Sequence, residues 1–97
     1  MQLYKIISLE NWQKSQSQEI LALSEDDKDF IHFSTRDQLE RILQKYLADG
    51  SAYVILQVDS KKLLGRLVLE ANPGGLNKYY HLYDGSIPFN AVKEYEL

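Results

Sequence analysis

The run Ala52-Tyr53-Val54-Ile55-Leu56-Gln57-Val58 constrains this chain more than any other segment. It is apolar throughout except at Gln57, and rich in β-branched and aromatic residues. A run that short and that apolar reads as a central strand of a sheet. The clearest helix of the sequence precedes it. Leu39, Ile42, Leu43, Tyr46 and Leu47 fall at i, i+3, i+4, i+7 and i+8, which is one apolar stripe of an amphipathic helix. Thr35-Arg36-Asp37-Gln38 resembles a capping box at its start, and Asp49-Gly50 is a stop signal.

The remaining segments are shorter. Leu3 to Leu9 reads as a strand, after which Ser8 can cap a helix over about Glu10 to Ser17, with Trp12 turned inward. Glu19 to Leu23 carries no decisive period. Ser24-Glu25-Asp26-Asp27-Lys28-Asp29 reads as a solvated loop. Its carboxylates do not follow calcium-loop spacing, because the turn glycine and the closing glutamate are missing. Phe30 to Ser34 reads as a short strand, and Leu63 to Glu70 as another with a possible bulge at Gly65. Asn72-Pro73-Gly74-Gly75 is a loop by its turn chemistry. Tyr79 to Tyr83 is strand-like and ends at Asp84-Gly85. Ala91 to Glu96 is a last strand. This order points to an α+β fold with a mixed sheet and about two helices.

The length of 97 residues fits a single domain over residues 1–97 with one modest core. No Cys is present, which removes disulfides and thiolate nucleophiles. Eleven Lys and Arg against 14 Asp and Glu leave a net charge of −3. That balance gives no extended nucleic-acid surface and no attraction to an anionic membrane. No apolar run approaches the ~20 residues that cross a bilayer. The opening residues lack a basic region followed by an apolar stretch, so they do not read as a signal peptide. A soluble cytoplasmic protein is the expectation.

The chemistry-bearing residues sit around two histidines, His32 and His81. Period two places Phe30, His32 and Ser34 on one face of their strand, with Ile31 and Phe33 on the core face. Tyr79, His81 and Tyr83 share a face in the same way, opposite Tyr80 and Leu82. If the two His faces meet, they form a cleft with stacking surfaces and two rings that titrate near neutrality. Ordinary packing of two hydrogen-bonded histidines explains the pattern equally well. A metal site built from His32, His81 and Glu70 is a weaker alternative, since neither an HxH nor an HExxH spacing occurs. A Ser34 nucleophile lacks the usual Gly-x-Ser-x-Gly turn. The start of the helix near Thr35 and Arg36 offers free N–H groups and charge to a phosphate, although self-capping by Thr35 is the commoner outcome.

Phe30-Ile31-His32-Phe33-Ser34-Thr35, followed by Gln38, Asp59, Glu70 and His81-Leu82-Tyr83 with Gly85, resembles the bacterial and plant domain-of-unknown-function family 952. Leu3-Tyr4-Lys5-Ile6 and Trp12 fit its opening. The chain departs from the family pattern at Asp29, where Gly is usual, at Tyr79-Tyr80, and at Asp84, which is an insertion. The family's fold is grouped with the ADP-ribosyltransferases, which implies a small mixed or antiparallel split sheet with a NAD-binding cleft. By that resemblance His32 would hold the ribose, with Ser34 and Thr35 nearby, and His81 would be the second motif residue. Glu70 is a candidate acidic partner because it ends a strand. Arg36 is the candidate phosphate contact, and Tyr79 and Tyr83 are candidate stacking surfaces. The implied activity is NAD-dependent ADP-ribosyl or RNA 2′-phosphate transfer on a nucleotide-like small molecule. The alternatives are a non-catalytic nucleotide-binding module and a protein-interaction module using Tyr79, Tyr80 and Tyr83.

Overall fold

A computed structural model describes all residues from Met1 to Leu97. In chain order its elements are β1 (Gln2–Ser8), α1 (Leu9–Ser15), β2 (Ile31–Phe33), α2 (Leu39–Asp49), β3 (Tyr53–Asp59), β4 (Leu64–Ala71), β5 (Lys78–Ser86) and β6 (Val92–Glu94). They form two three-stranded sheets, ordered β1-β3-β6 and β2-β5-β4. β3 is the central strand of the first, as its largely apolar run predicts. Every strand pair is antiparallel, so of the two sheet types expected only the antiparallel one is present. The sheets meet at one bridge, where Tyr4 and Ser34 exchange backbone N–H to C=O bonds of 2.8 Å.

Each face of the first sheet is covered. Leu3, Ile7, Leu56 and Val58 pack against Ile31, Phe33 and Leu82 of the second sheet, with Ile87 and Ala91 closing the cluster. Tyr4, Ile6 and Ile55 on the opposite face pack under α2, against Leu39, Ile42, Leu43 and Tyr46. The stripe expected on α2 therefore does face the core, except that Leu47 is exposed. Leu47 lies in the last turn and is not part of the cluster under α2. Lys5 shares the Leu3 and Ile7 side of β1 and is nonetheless buried.

Helix α1 covers Leu9–Ser15, taking in Leu9, the expected end of the strand, and stopping two residues before Ser17, while α2 departs further. α1 is capped as predicted, with the Asn11 N–H donating to Ser8 Oγ at 3.1 Å. Trp12 stacks on Phe89 with ring centroids 5.5 Å apart. α2 does not start at Thr35. Residues 35–38 form a turn and the helix begins at Leu39. Only half of the capping box forms. Gln38 Oε1 accepts from the Thr35 N–H at 3.0 Å, while the Thr35 hydroxyl donates to Asp37 instead of accepting from the helix. The Gln38 amide also donates to the Lys78 carbonyl at 2.8 Å, which ties the residue ahead of the helix to the first residue of β5. Gly50 ends it in the left-handed region, at φ 69°.

β5 extends through Asp84-Gly85 to Ser86, beyond its expected end. The bulge at Gly65 is the reason. Register shifts between Leu64 and Arg66, and the backbone of Gly65 lies against that of Gly85. Two glycines facing each other let the strands stay paired around the irregularity, with Asp84 in the left-handed region at φ 51°. The expected last strand is shorter than read at both ends, since Phe89–Ala91 form a 3-10 turn ahead of β6 and β6 itself ends at Glu94.

Candidate functional site

β2 lies beside β5 in a register that makes His32 the direct partner of His81. Their core-facing neighbours Ile31, Phe33 and Leu82 are buried between the sheets, so both rings project from the other side. The rings meet edge to face with centroids 5.2 Å apart. Phe30 leans over both, 4.7 Å from His32 and 4.2 Å from His81, and also contacts Tyr83 at 5.3 Å. The two period-two faces thus do converge, as their matched layouts suggest.

The two histidines differ in surroundings. The His32 side chain is 39% exposed. Its Nδ1 sits 3.1 Å from Asp27 Oδ1, and its backbone N–H donates to the same oxygen at 3.0 Å. Lys5 Nζ donates to that oxygen at 3.0 Å and to the His32 carbonyl at 2.8 Å. Both members of the Lys5–Asp27 pair are shielded, with side-chain exposures of 6% and 7%. Burial pulls the Lys5 ammonium below its ordinary pKa, against the attraction of Asp27. Burial alone would raise the Asp27 carboxyl, but the His32 ring and Lys5 together hold it below the usual carboxylate range.

His81 is fully buried. Its Nδ1 is 2.8 Å from Glu70 Oε2 and its Nε2 is 2.8 Å from Asn72 Oδ1. The Glu70 carboxylate can only accept, so Nδ1 carries a proton. The Asn72 amide can turn either its oxygen or its nitrogen toward Nε2, which satisfies the ring in either charge state. Tyr83 donates its hydroxyl to Glu70 Oε2. That bond, followed by the one from His81, holds the Glu70 carboxyl low, and it raises the Tyr83 phenol. Arg66 lies over the Tyr83 ring at 4.8 Å.

A cavity of about 620 Å³ opens beside His32, between β1, α2 and the end of β2. His32, Ser34, Lys5, Asp27, Asp26, Lys45, Tyr46, Asn72 and Tyr79 are among its lining residues. Its size falls within the roughly 300–1,000 Å³ of small-molecule sites. Asn72 connects it to the buried His81, since the same side chain lines the cavity and bonds that ring.

The family model described as "Protein of unknown function (DUF952)" matches residues 6–95. The chain belongs to the DUF952 family. Its fold is similar to the crystal structure of protein CC0527 from Caulobacter crescentus, with a TM-score of 0.78 and 27% identity over all of this chain and 88% of that one. A double-methionine variant of CC0527 superposes with a TM-score of 0.76 at 26% identity, again over all of this chain and 88% of that one. No curated protein matches.

In this DUF952 chain the residues singled out by sequence divide into three groups. His32, Ser34 and Tyr79 line the cavity. His81, Glu70 and Tyr83 form the hydrogen-bonded cluster behind it. Thr35 and Arg36 are not brought to the site. The Thr35 hydroxyl is bound to Asp37, and Arg36 Nε donates to the Tyr95 hydroxyl at 2.8 Å, with its guanidinium over that ring. His32, His81 and Glu70 do not converge as a metal-ligating group.

Sequence reasoning overlooked Lys5, Asp27 and Asn72. Asp27 falls in the stretch read as a solvated loop, and that reading is overturned at this residue. Glu25–Asp27 is a 3-10 turn whose last carboxylate points inward. Its buried partner explains the exception, because a carboxylate stays inside only when charge and hydrogen bonds compensate it. The available signal was Lys5, a charge in the middle of the apolar strand Leu3-Tyr4-Lys5-Ile6-Ile7, at an inward position.

Proposed function

We propose that this DUF952 chain binds a nucleotide-type small molecule, NAD or ADP-ribose, in the cavity beside His32. ADP-ribosyl transfer or RNA 2′-phosphate transfer is the chemistry such a site would serve. The observation that carries the reading is the pairing of His32 with His81 across β2 and β5, next to a cavity of small-molecule size.

The lining suits the nucleoside part of such a ligand best. His32 Nε2 and the Ser34 hydroxyl offer hydrogen-bonding positions, and the Tyr79 ring offers a stacking face. Phosphate charge has fewer partners. Lys5 is already paired with Asp27, Asp26 adds negative charge, and Arg36 is held at Tyr95, which leaves Lys45. Bound NAD would supply a ribosyl carbon whose bond to nicotinamide breaks through an oxocarbenium-like state. Within this chain His32 would orient the ribose, and the Asp26 carboxylate would favour developing positive charge nearby.

A second reading is a binding module without turnover. The paired state of Glu70 favours it, because this carboxylate is occupied by both His81 and Tyr83. Amide chemical-shift titration with NAD, ADP-ribose and a 2′-phosphorylated RNA end tests binding. Shifts at Phe30 to Ser34 and at Tyr79 support the site, and absence of any shift at millimolar ligand ends the nucleotide reading. Release of nicotinamide, or of the 2′-phosphate, then separates transferase from module.

A further inference from the structure

We infer that Asp27, clamped by Lys5, is the positioning residue that sets the tautomer of His32 and aims its Nε2 into the cavity as a hydrogen-bond acceptor. The inference rests on the His32 cavity being the ligand site, but its central claim concerns the protein alone. Three donors converge on one oxygen, Asp27 Oδ1: the Lys5 ammonium at 3.0 Å, the His32 backbone N–H at 3.0 Å and His32 Nδ1 at 3.1 Å. An ionised carboxylate has no proton to give, so the neutral ring must carry its proton on Nδ1. Nε2 is then bare, and no protein group bonds it while the ring stands partly exposed at the cavity wall.

The clamp fixes direction as well as proton. Lys5 holds Asp27 from β1 and also holds the His32 carbonyl, so the turn at Glu25–Asp27, β1 and β2 are locked around the same ring. Rotation of the imidazole by half a turn would break the Nδ1 bond and leave a buried carboxylate short of a donor. A ligand that meets the neutral ring must therefore present a donor, such as a sugar hydroxyl or an N–H. A fully ionised phosphate oxygen has none. His81 is oriented by a separate pair, Glu70 and Asn72, and is independent of Asp27.

Ring nitrogen shifts of ¹⁵N-labelled protein test this at about pH 8.5, well above the ordinary imidazole range near 6.5. The wild type is expected to show His32 as the Nδ1–H tautomer. Asp27→Ala, which removes the acceptor altogether, should shift His32 toward the Nε2–H form and leave the His81 tautomer in place. Because Asp27→Ala leaves Lys5 buried without its counter-charge, the Lys5→Met/Asp27→Ala double variant supplies the same measurement on a chain with neither charge nor acceptor. NAD affinity should fall at least tenfold in the variant that folds, and Asp27→Glu should restore part of the Nδ1–H population. A wild-type ring in the Nε2–H form overturns the inference, and so does a tautomer unchanged when Asp27 is replaced. A wild type with the expected tautomer that binds none of the nucleotides instead removes the proposed ligand and leaves the role of Asp27 standing.

Discussion

His32 and His81 are direct cross-strand partners with rings 5.2 Å apart, yet only His32 reaches the cavity. The difference lies in what covers each ring. His81 is enclosed by Phe30, Glu70 and Asn72, whereas His32 is held at one nitrogen and open at the other. A pair that looks symmetric along the strands therefore divides into a ligand-facing ring and a packed one.

That division predicts opposite outcomes for two alanine variants. His32→Ala should abolish NAD or ADP-ribose binding while costing about 1–2 kcal/mol of stability, since it deprives the buried Asp27 carboxylate of one of its three donors. His81→Ala should cost about 3 kcal/mol, because it opens a buried space and strips Glu70 and Asn72 of a partner. Urea unfolding beside ligand titration checks both. Equal stability losses would show that the two rings do the same job.

Acid should weaken the clamp in a defined direction. The Asp27 carboxyl is depressed in the folded chain, so its contribution is fully present above the unfolded aspartate value of about 4. It is lost as pH falls below that value and through the folded one. Lys5→Met/Asp27→Asn lacks this contribution at every pH. The stability of the wild type relative to the double variant should decline from about pH 5 downward, which denaturant midpoints between about pH 6 and pH 2 would reveal.

The helix start gives a third test. Thr35→Ala should cost under about 0.5 kcal/mol, since its hydroxyl bonds Asp37 on the surface and does not cap α2. Gln38→Ala should cost more, about 1–2 kcal/mol, because one side chain holds the Thr35 N–H and the Lys78 carbonyl. The reverse ranking in urea unfolding would place the cap at Thr35 after all.

The glycine pair at the bulge should tolerate nothing larger. A Cβ on Gly85 would meet the Leu64 carbonyl group and lie 2.8 Å from Gly65 Cα, all backbone that cannot swing aside. Gly85→Ala is expected to cost at least about 3 kcal/mol, or to prevent folding. Gly50→Ala has open space around it and only the left-handed backbone to oppose it, so about 1 kcal/mol is expected. Thermal unfolding of the two variants would expose the contrast.

What the sequence by itself determined is what repeats locally along the backbone. Period two assigned Ile31, Phe33, Tyr80 and Leu82 to one side and the histidines to the other. Ser8 announced the cap of α1, Gly65 the bulge, and the apolar run from Ala52 to Val58 the central strand. Each of these depends on residues a few positions apart, whose geometry the chain carries with it. Tertiary structure alone decided the rest. Lys5 and Asp27 are 22 positions apart, and Arg36 and Tyr95 are 59 apart. No local period encodes such pairs. A lone aspartate in a polar stretch reads as solvated until a buried ammonium from another strand makes its burial tolerable. An arginine beside a helix start reads as a phosphate contact until a distant phenol takes its donor. The same holds for the two histidines. Their facing was legible in each strand, but which ring stays open to a ligand depended on Asn72 and Glu70 arriving from the β4 side of the sheet.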